Sequence, residues 1–335
     1  MGKRISLNDA AKRVLMEVLG ARPSEKIAVI TDFSESMEIA RAIAIKANEL
    51  GMECIVFSFC PKGDNIPLPE HAKEIVNDAD CIILLSKGSL SFSPDVWRAI
   101  EEGKRVVSCP RISLDMFRRA LSVDLMRLSE DTRRVAETLS FANKAMIVTG
   151  VNSEATLDIS SRRAVYVDGL ATRPSSFTII PGGIVGIAPL EGSTNGEIVI
   201  NGSVSHLGPL RKPIKLTIER GEIVEISGGR DAKRLERLLE GYGSENMYKI
   251  AELGVGVHPM MRVRGNATED ESSRGTIVIG IGENSGHLGG KIDAPDHVDL
   301  FIRFGSLFLD RIPLVIGGNL LLGEAYEKGH NRREG

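Results

Sequence analysis

Cysteine is scarce in this 335-residue chain: Cys54, Cys60, Cys81 and Cys109 are the whole complement, and all fall in the first third. Their wide, irregular spacing argues against a zinc knuckle, and three lie in apolar strand-like runs, so buried reduced thiols are expected. Aromatic residues make up only 4%, and 42 basic residues stand against 45 acidic ones for a net charge of -3. A chain with so few stacking groups and no excess positive field is not built to hold nucleic acid. Long apolar runs are missing too. The opening "MGKRISLNDAAKRVLMEVLG" puts charge inside its first apolar stretch and has no small-residue cleavage site, so a cytoplasmic location without a membrane partner is expected. The sequons Asn201-Gly202-Ser203 and Asn266-Ala267-Thr268 then read as chance matches.

The balance of 42% hydrophobic and 26% charged residues is that of an ordinary globular protein. The length suits two domains, each able to bury a core without cross-links. From residue 26 short apolar runs alternate with helical stretches: "KIAVITD", "SMEIARAIAIKANELG", "MECIVFSF", "PEHAKEIVNDA", "DCIILLSK", "DVWRAIEEG", "KRVVSCP". This alternation predicts an open parallel-sheet α/β domain over residues 1–150. The turn "TDFSESMEIA" lacks the glycines of a dinucleotide-binding loop, which disfavours a Rossmann cofactor site.

Past residue 150 the grammar changes, for only seven of the 35 glycines precede Val151. Short β-like runs separated by glycine turns, with "ERGE" and "GGN" as hairpin connections and "DAKRLERLLEGYG" as a helix, predict a mainly antiparallel, β-rich α+β domain over residues 151–335. The fold class is therefore α/β followed by α+β, and the polar end "GEAYEKGHNRREG" is expected to fray.

Three of six histidines, His258, His287 and His297, share a 40-residue window. In "HVDLFI" alternate side chains face opposite sides, so His297 and Asp299 share one face while Val298, Leu300 and Ile302 share the other. Roots about 6 to 7 Å apart let an imidazole and a carboxylate converge on one ion of the zinc, iron or manganese class. A lone HxD is more often just the solvated face of a strand. Here Glu252, His258 and the glycine-rich "GENSGHLGG" provide further donors and a permissive backbone nearby.

The blocks "PGGIVGIAPLEGSTNGEIVINGS", "IAELGVGVHP", "GNATEDESSRGTIVIGIGENS", "HLGG" and "HVD", in that order, resemble the aminopeptidase T and aminopeptidase S type of metallopeptidase over most of the chain. The resemblance implies a homodimer holding two divalent ions in its C-terminal domain through two glutamates, two histidines, a tyrosine and an aspartate. Glu252, His297 and Asp299 match that pattern, whereas Ile184, Val278 and Ser285 stand where a glutamate, a histidine and the tyrosine are expected. One ion is therefore expected, with Glu252, His258, His287, His297 and Asp299 as candidate ligands. The leading expectation is an aminopeptidase-like hydrolase, in which zinc, cobalt or manganese activates a water and Glu191 or Glu283 is the base. The alternative is a mononuclear iron(II) ring-cleaving dioxygenase, because the same resemblance extends to the 2,5-dihydroxypyridine dioxygenases; His258, His297 and Asp299 would then form its facial triad. Either enzyme takes a small molecule or peptide as substrate. A third possibility is a degenerate metal-binding relative, for which Ile184 and Val278 speak.

Overall fold

A computed structural model of the protein describes residues 5–150 and 153–322, and these form two compact units, Met1–Ser129 with Val167–Gly182 and Glu130–Tyr166 with Gly183–Gly335. The C-terminal stretch expected to fray, and His330 within it, lie outside the described residues.

The first unit is built on a parallel sheet in the order Glu53–Ser58, Lys26–Thr31, Cys81–Ser86, Arg105–Pro110, Ser176–Ile179. The two strands Cys81–Ser86 and Arg105–Pro110 are buried along their whole length, which is why they read as unbroken apolar runs rather than alternating ones. Helices Glu70–Asp78 and Pro94–Glu101 lay Ala72, Val76, Val96, Ala99 and Ile100 onto Ala28, Ile30, Ile82, Leu84 and Val106, the core of one sheet face. The fifth strand was not legible in advance: "SFTI" follows the glycine-poor half, yet it joins this sheet beside Arg105–Pro110. Its short apolar pattern says strand but not which sheet. Cys81 and Cys109 are buried as expected, Cys54 is half-buried, and Cys60 is exposed, because it falls past the end of its strand.

The second unit contains two sheets, antiparallel at every pairing below. One runs Glu222–Ser227, Ile214–Glu219, Asn195–Ile200, Ser153–Asp158, Lys144–Gly150, Ser306–Leu309, Ile312–Ile316, Asn319–Leu320. The hairpins expected at "ERGE" and "GGN" are both present, with Gly221 and Gly317 in the left-handed region that such turns demand. The other sheet has at its centre Ile184–Ile187, Ile250–Gly256, Ile277–Gly282, His297–Ile302 and Ser203–Val204. Arg230–Gly241 is the helix expected from "DAKRLERLLEGYG". A second, short helix, Ala267–Ser272, starts at Asn266, whose side chain caps it by accepting from the Glu269 N–H. Among the described residues no helix is long and apolar enough to cross a membrane.

Candidate metal centre

The register of the central sheet builds the site. Glu252 lies opposite Gly280, which lies opposite Asp299, and Gly282 lies opposite His297. Directly opposed residues share a face, so one acidic residue from Ile250–Gly256 meets an imidazole and a carboxylate from His297–Ile302 across an intervening strand of glycines. The opposite face of His297–Ile302 supplies Val298, Leu300 and Ile302, all fully buried. That division of labour is the one the i, i+2 spacing predicted.

The donor atoms converge. His297 Nε2 lies 3.1 Å from Asp299 Oδ1 and 3.2 Å from Glu252 Oε2, and the three ligand atoms all lie within 4.8 Å of one another. Glu252 is 5% exposed, and the side chains of His297 and Asp299 keep 20% and 19% of theirs, so the cluster is sheltered yet reachable. The floor is glycine by necessity. A Cβ on Gly186 would overlap the Glu252 carboxylate, and one on Gly280 would lie 2.5 Å from His297 Nε2 and 2.7 Å from Glu252 Cβ.

The other ring nitrogen is held from behind. His297 Nδ1 lies 2.6 Å from the carbonyl oxygen of Glu283, so Nδ1–H donates there and Nε2 faces the carboxylates. Burial would push the imidazole pKa down, but the Asp299 and Glu252 carboxylates outweigh it and hold it well above its ordinary value. The carboxylates that favour a proton on this ring are the ones that would favour a cation beside it. Metal and proton therefore compete for Nε2, and metal affinity falls as pH is lowered.

Asn284 fixes that carbonyl. Its fully buried side chain donates to the carbonyl of Ala251 at 3.0 Å and accepts from the N–H of Ile292 at 2.8 Å, so it ties the segment following Glu283 to the strand beside Glu252. Asn284→Ala leaves two buried backbone groups unpaired and is expected to cost about 2–4 kcal/mol. Urea unfolding checks this, and the metal affinity of the same variant is expected to fall about 10-fold or more as the Glu283 carbonyl loses its place.

The remaining candidate residues are placed elsewhere. His258, expected as a ligand, is fully buried beyond the end of its strand; its Nδ1 accepts from the Met260 N–H at 3.1 Å and its backbone ties to Ser272 and Arg274. His287 is exposed on the loop after Glu283. Neither belongs to the converging group. Glu191 has both oxygens engaged, by Arg162 at 2.6 Å and by the Lys291 N–H at 2.8 Å. Burial raises the Glu283 carboxyl, but hydrogen bonds from Ser285 and Gly286 outweigh it and keep the group below its ordinary pKa. Its carbonyl, rather than its carboxylate, serves the site.

Two residues went unnoticed in the sequence. Asn284 and Glu271 both lie in the block "GNATEDESSRGTIVIGIGENS", where neither was singled out. Burial and the charges of Asp299 and Glu252 push the Glu271 carboxyl well above its ordinary pKa, against the opposing effect of His297. Ile184 and Val278 lie on the same sheet face as the three donors, opposite Gly256 and Gly254 respectively. Apolar groups thus fill the positions where the resemblance placed two more ligands, and among the described residues one group of three such donors converges.

One imidazole nitrogen and two carboxylates over a cleared floor fit a divalent cation. The comparisons with known proteins show the family to which the chain belongs. The model of the 2,5-dihydroxypyridine 5,6-dioxygenase (NicX) family matches residues 7–322. The 2,5-dihydroxypyridine 5,6-dioxygenase of Pseudomonas putida KT2440 is 26% identical over 250 residues, which is 70% of this chain and 69% of that protein. A solved structure of 2,5-dihydroxypyridine dioxygenase from the same organism superposes with a TM-score of 0.80 at 19% identity, covering 96% of this chain and 99% of that one. Wild-type AmpT from Thermus thermophilus superposes with a TM-score of 0.66 at 14% identity, covering 94% and 99%. The likeness to the aminopeptidase T group thus holds for the fold. The expectation of a hydrolase, an aminopeptidase or protease, does not hold: the matching family and the curated relative are dioxygenases. The chain belongs to the 2,5-dihydroxypyridine 5,6-dioxygenase family.

Proposed function

We propose that the protein is a ring-cleaving dioxygenase that uses a single divalent ion, iron(II), on a dihydroxylated pyridine or a closely similar hydroxylated ring. The observation that carries this is the convergence of Glu252, His297 and Asp299 on one point, with no fourth His, Cys, Asp or Glu in that group among the described residues. Three protein ligands leave positions for substrate and dioxygen, the arrangement that mononuclear iron oxygenases share. The set departs from two histidines and one carboxylate by exchanging a histidine for Glu252, a harder donor that suits iron(II) and manganese better than copper or zinc.

Bound there, the ion would supply the redox chemistry by which dioxygen reacts with an electron-rich ring. The chain's own contribution is positional. The Glu283 carbonyl keeps Nε2 of His297 directed at the ion, and Ser205 holds Asp299 from the strand edge, its hydroxyl accepting from the Asp299 N–H at 2.8 Å. The fully buried Val278 and Phe301 continue the same face as apolar surface, which keeps water away from one side of the donors.

The test is oxygen uptake by iron(II)-loaded protein given 2,5-dihydroxypyridine. One dioxygen consumed per ring opened, both atoms of ¹⁸O₂ recovered in the product and full loss of uptake on chelation are expected. Iron-loaded protein that leaves the ring and the oxygen untouched would overturn the proposal.

A further inference from the structure

The helix Ala267–Ser272 comes down on the strand that carries Glu252. At Gly256 the approach leaves no room for a side chain: a Cβ there would lie 2.6 Å from the carbonyl oxygen of Glu271 and closer still to that of Ser273. Gly256 shares its face with Glu252 and Gly254, so Glu271 is suspended over the same side of the sheet as the three donors.

Three nearby carboxylates are hydrogen-bonded within the chain. Asp270 accepts from the Ser203 hydroxyl and from the N–H groups of Arg264 and Gly265. Glu283 accepts from Ser285 and Gly286, and Asp296 from the Tyr242 hydroxyl at 2.6 Å. Glu271 differs. Its side chain is half-buried, and among the described residues its carboxylate receives no hydrogen bond and forms no ion pair, although it feels the charges of Asp299, Glu252 and His297. It also stands outside the group of three whose donor atoms converge. Its oxygens are not closed off from solvent, so they can accept a hydrogen bond from a group that enters from outside the chain.

We infer that Glu271 is a substrate-binding residue, accepting a hydrogen bond from an O–H or N–H group of the ring that the metal centre takes. The inference rests on the dioxygenase reading of the site. A divalent ion held by Glu252, His297 and Asp299 would offset the repulsion that Glu271 feels and leave its carboxylate free as an acceptor. The substrate class follows: a heteroaromatic ring with a free hydroxyl or protonated ring nitrogen on the side facing Glu271. A ring whose donors are all methylated has nothing to offer it.

The experiment uses iron(II)-loaded protein, wild type and Glu271→Gln. Iron content and thermal midpoint are measured first, then binding of 2,5-dihydroxypyridine under nitrogen by equilibrium dialysis, then turnover in air. The variant is expected to keep its iron and its midpoint. It is expected to bind the ring about 10-fold or more weakly, the loss typical of a hydrogen bond to a charged group. KM should carry this loss more than kcat, and the fully methylated ring should bind equally weakly to both proteins. Loss of iron from the variant would make Glu271 a ligand and overturn the inference, as would unchanged binding of the ring. Turnover by the wild type with an unaffected variant sinks this inference alone. Differential binding without turnover supports it and sinks the dioxygenase reading, and no binding to the wild type sinks both.

Discussion

Replacing His297 by alanine is expected to abolish metal binding, and with it the oxygen chemistry proposed above, while leaving the fold standing. The ring is one of three donors, and the only nitrogen among them, so its loss leaves two carboxylates that cannot hold a transition ion tightly. Loss of a residue that merely orients a ligand costs about 10- to 100-fold in affinity, and losing the ligand itself is expected to exceed the upper end of that range. Stability should change little by comparison. Val298, Leu300 and Ile302 keep their places on the buried face, and the only internal bonds forfeited are those of the ring to Glu283 and the two carboxylates. Metal analysis alongside thermal unfolding checks both halves. Stoichiometric metal retained by His297→Ala would show that the centre has been placed wrongly.

Gly280→Ala is expected to do nearly as much damage with a single methyl group. The added carbon would lie 2.5 Å from His297 Nε2 and 2.6 Å from Cε1, so the imidazole must swing out of the position from which it meets Glu252 and Asp299. Overpacking of this kind costs about 1–3 kcal/mol of stability. Metal affinity is expected to fall about 10- to 100-fold, as for other changes that turn a ligand away from its ion. Gly186→Ala should act on Glu252 in the same way, because the methyl would occupy the space of its carboxylate oxygen. Gly241→Ala is the control: its Cβ would meet nothing within 4 Å, so metal content should be unaffected. Equal metal binding by all three variants would mean that the glycine floor has no part in the site.

Part of this centre was legible before any coordinates. His297 and Asp299 announce themselves by their i, i+2 spacing in a strand whose other side is apolar, because strand geometry alone puts them on one face. Glu252 was singled out by its place beside a glycine-rich stretch and then by the resemblance, not by periodicity, since a lone glutamate in an apolar run has no periodic signature of its own. His258 shows the limit of composition: two residues beyond the end of the same strand, it turns its ring into a buried loop and bonds to Met260. Glu191 and Glu283 were attractive as bases for their charge, but each carboxylate is spoken for by neighbours that sequence spacing does not reveal. Glu271 and Asn284 were invisible for the converse reason, as an acidic helix residue and a loop amide look ordinary until the chain brings them against Glu252 and Ala251.

By itself the sequence determined the two kinds of sheet, most of the strands and the face on which His297 and Asp299 stand, because periods of two and 3.6 residues are properties of the local backbone. Tertiary structure alone decided which strands became neighbours, and so which acidic group faces the imidazole, which glycines clear the floor and which carboxylate is left without a donor. Register between strands is set by the packing of the whole buried face, and no stretch of the chain read alone carries that information.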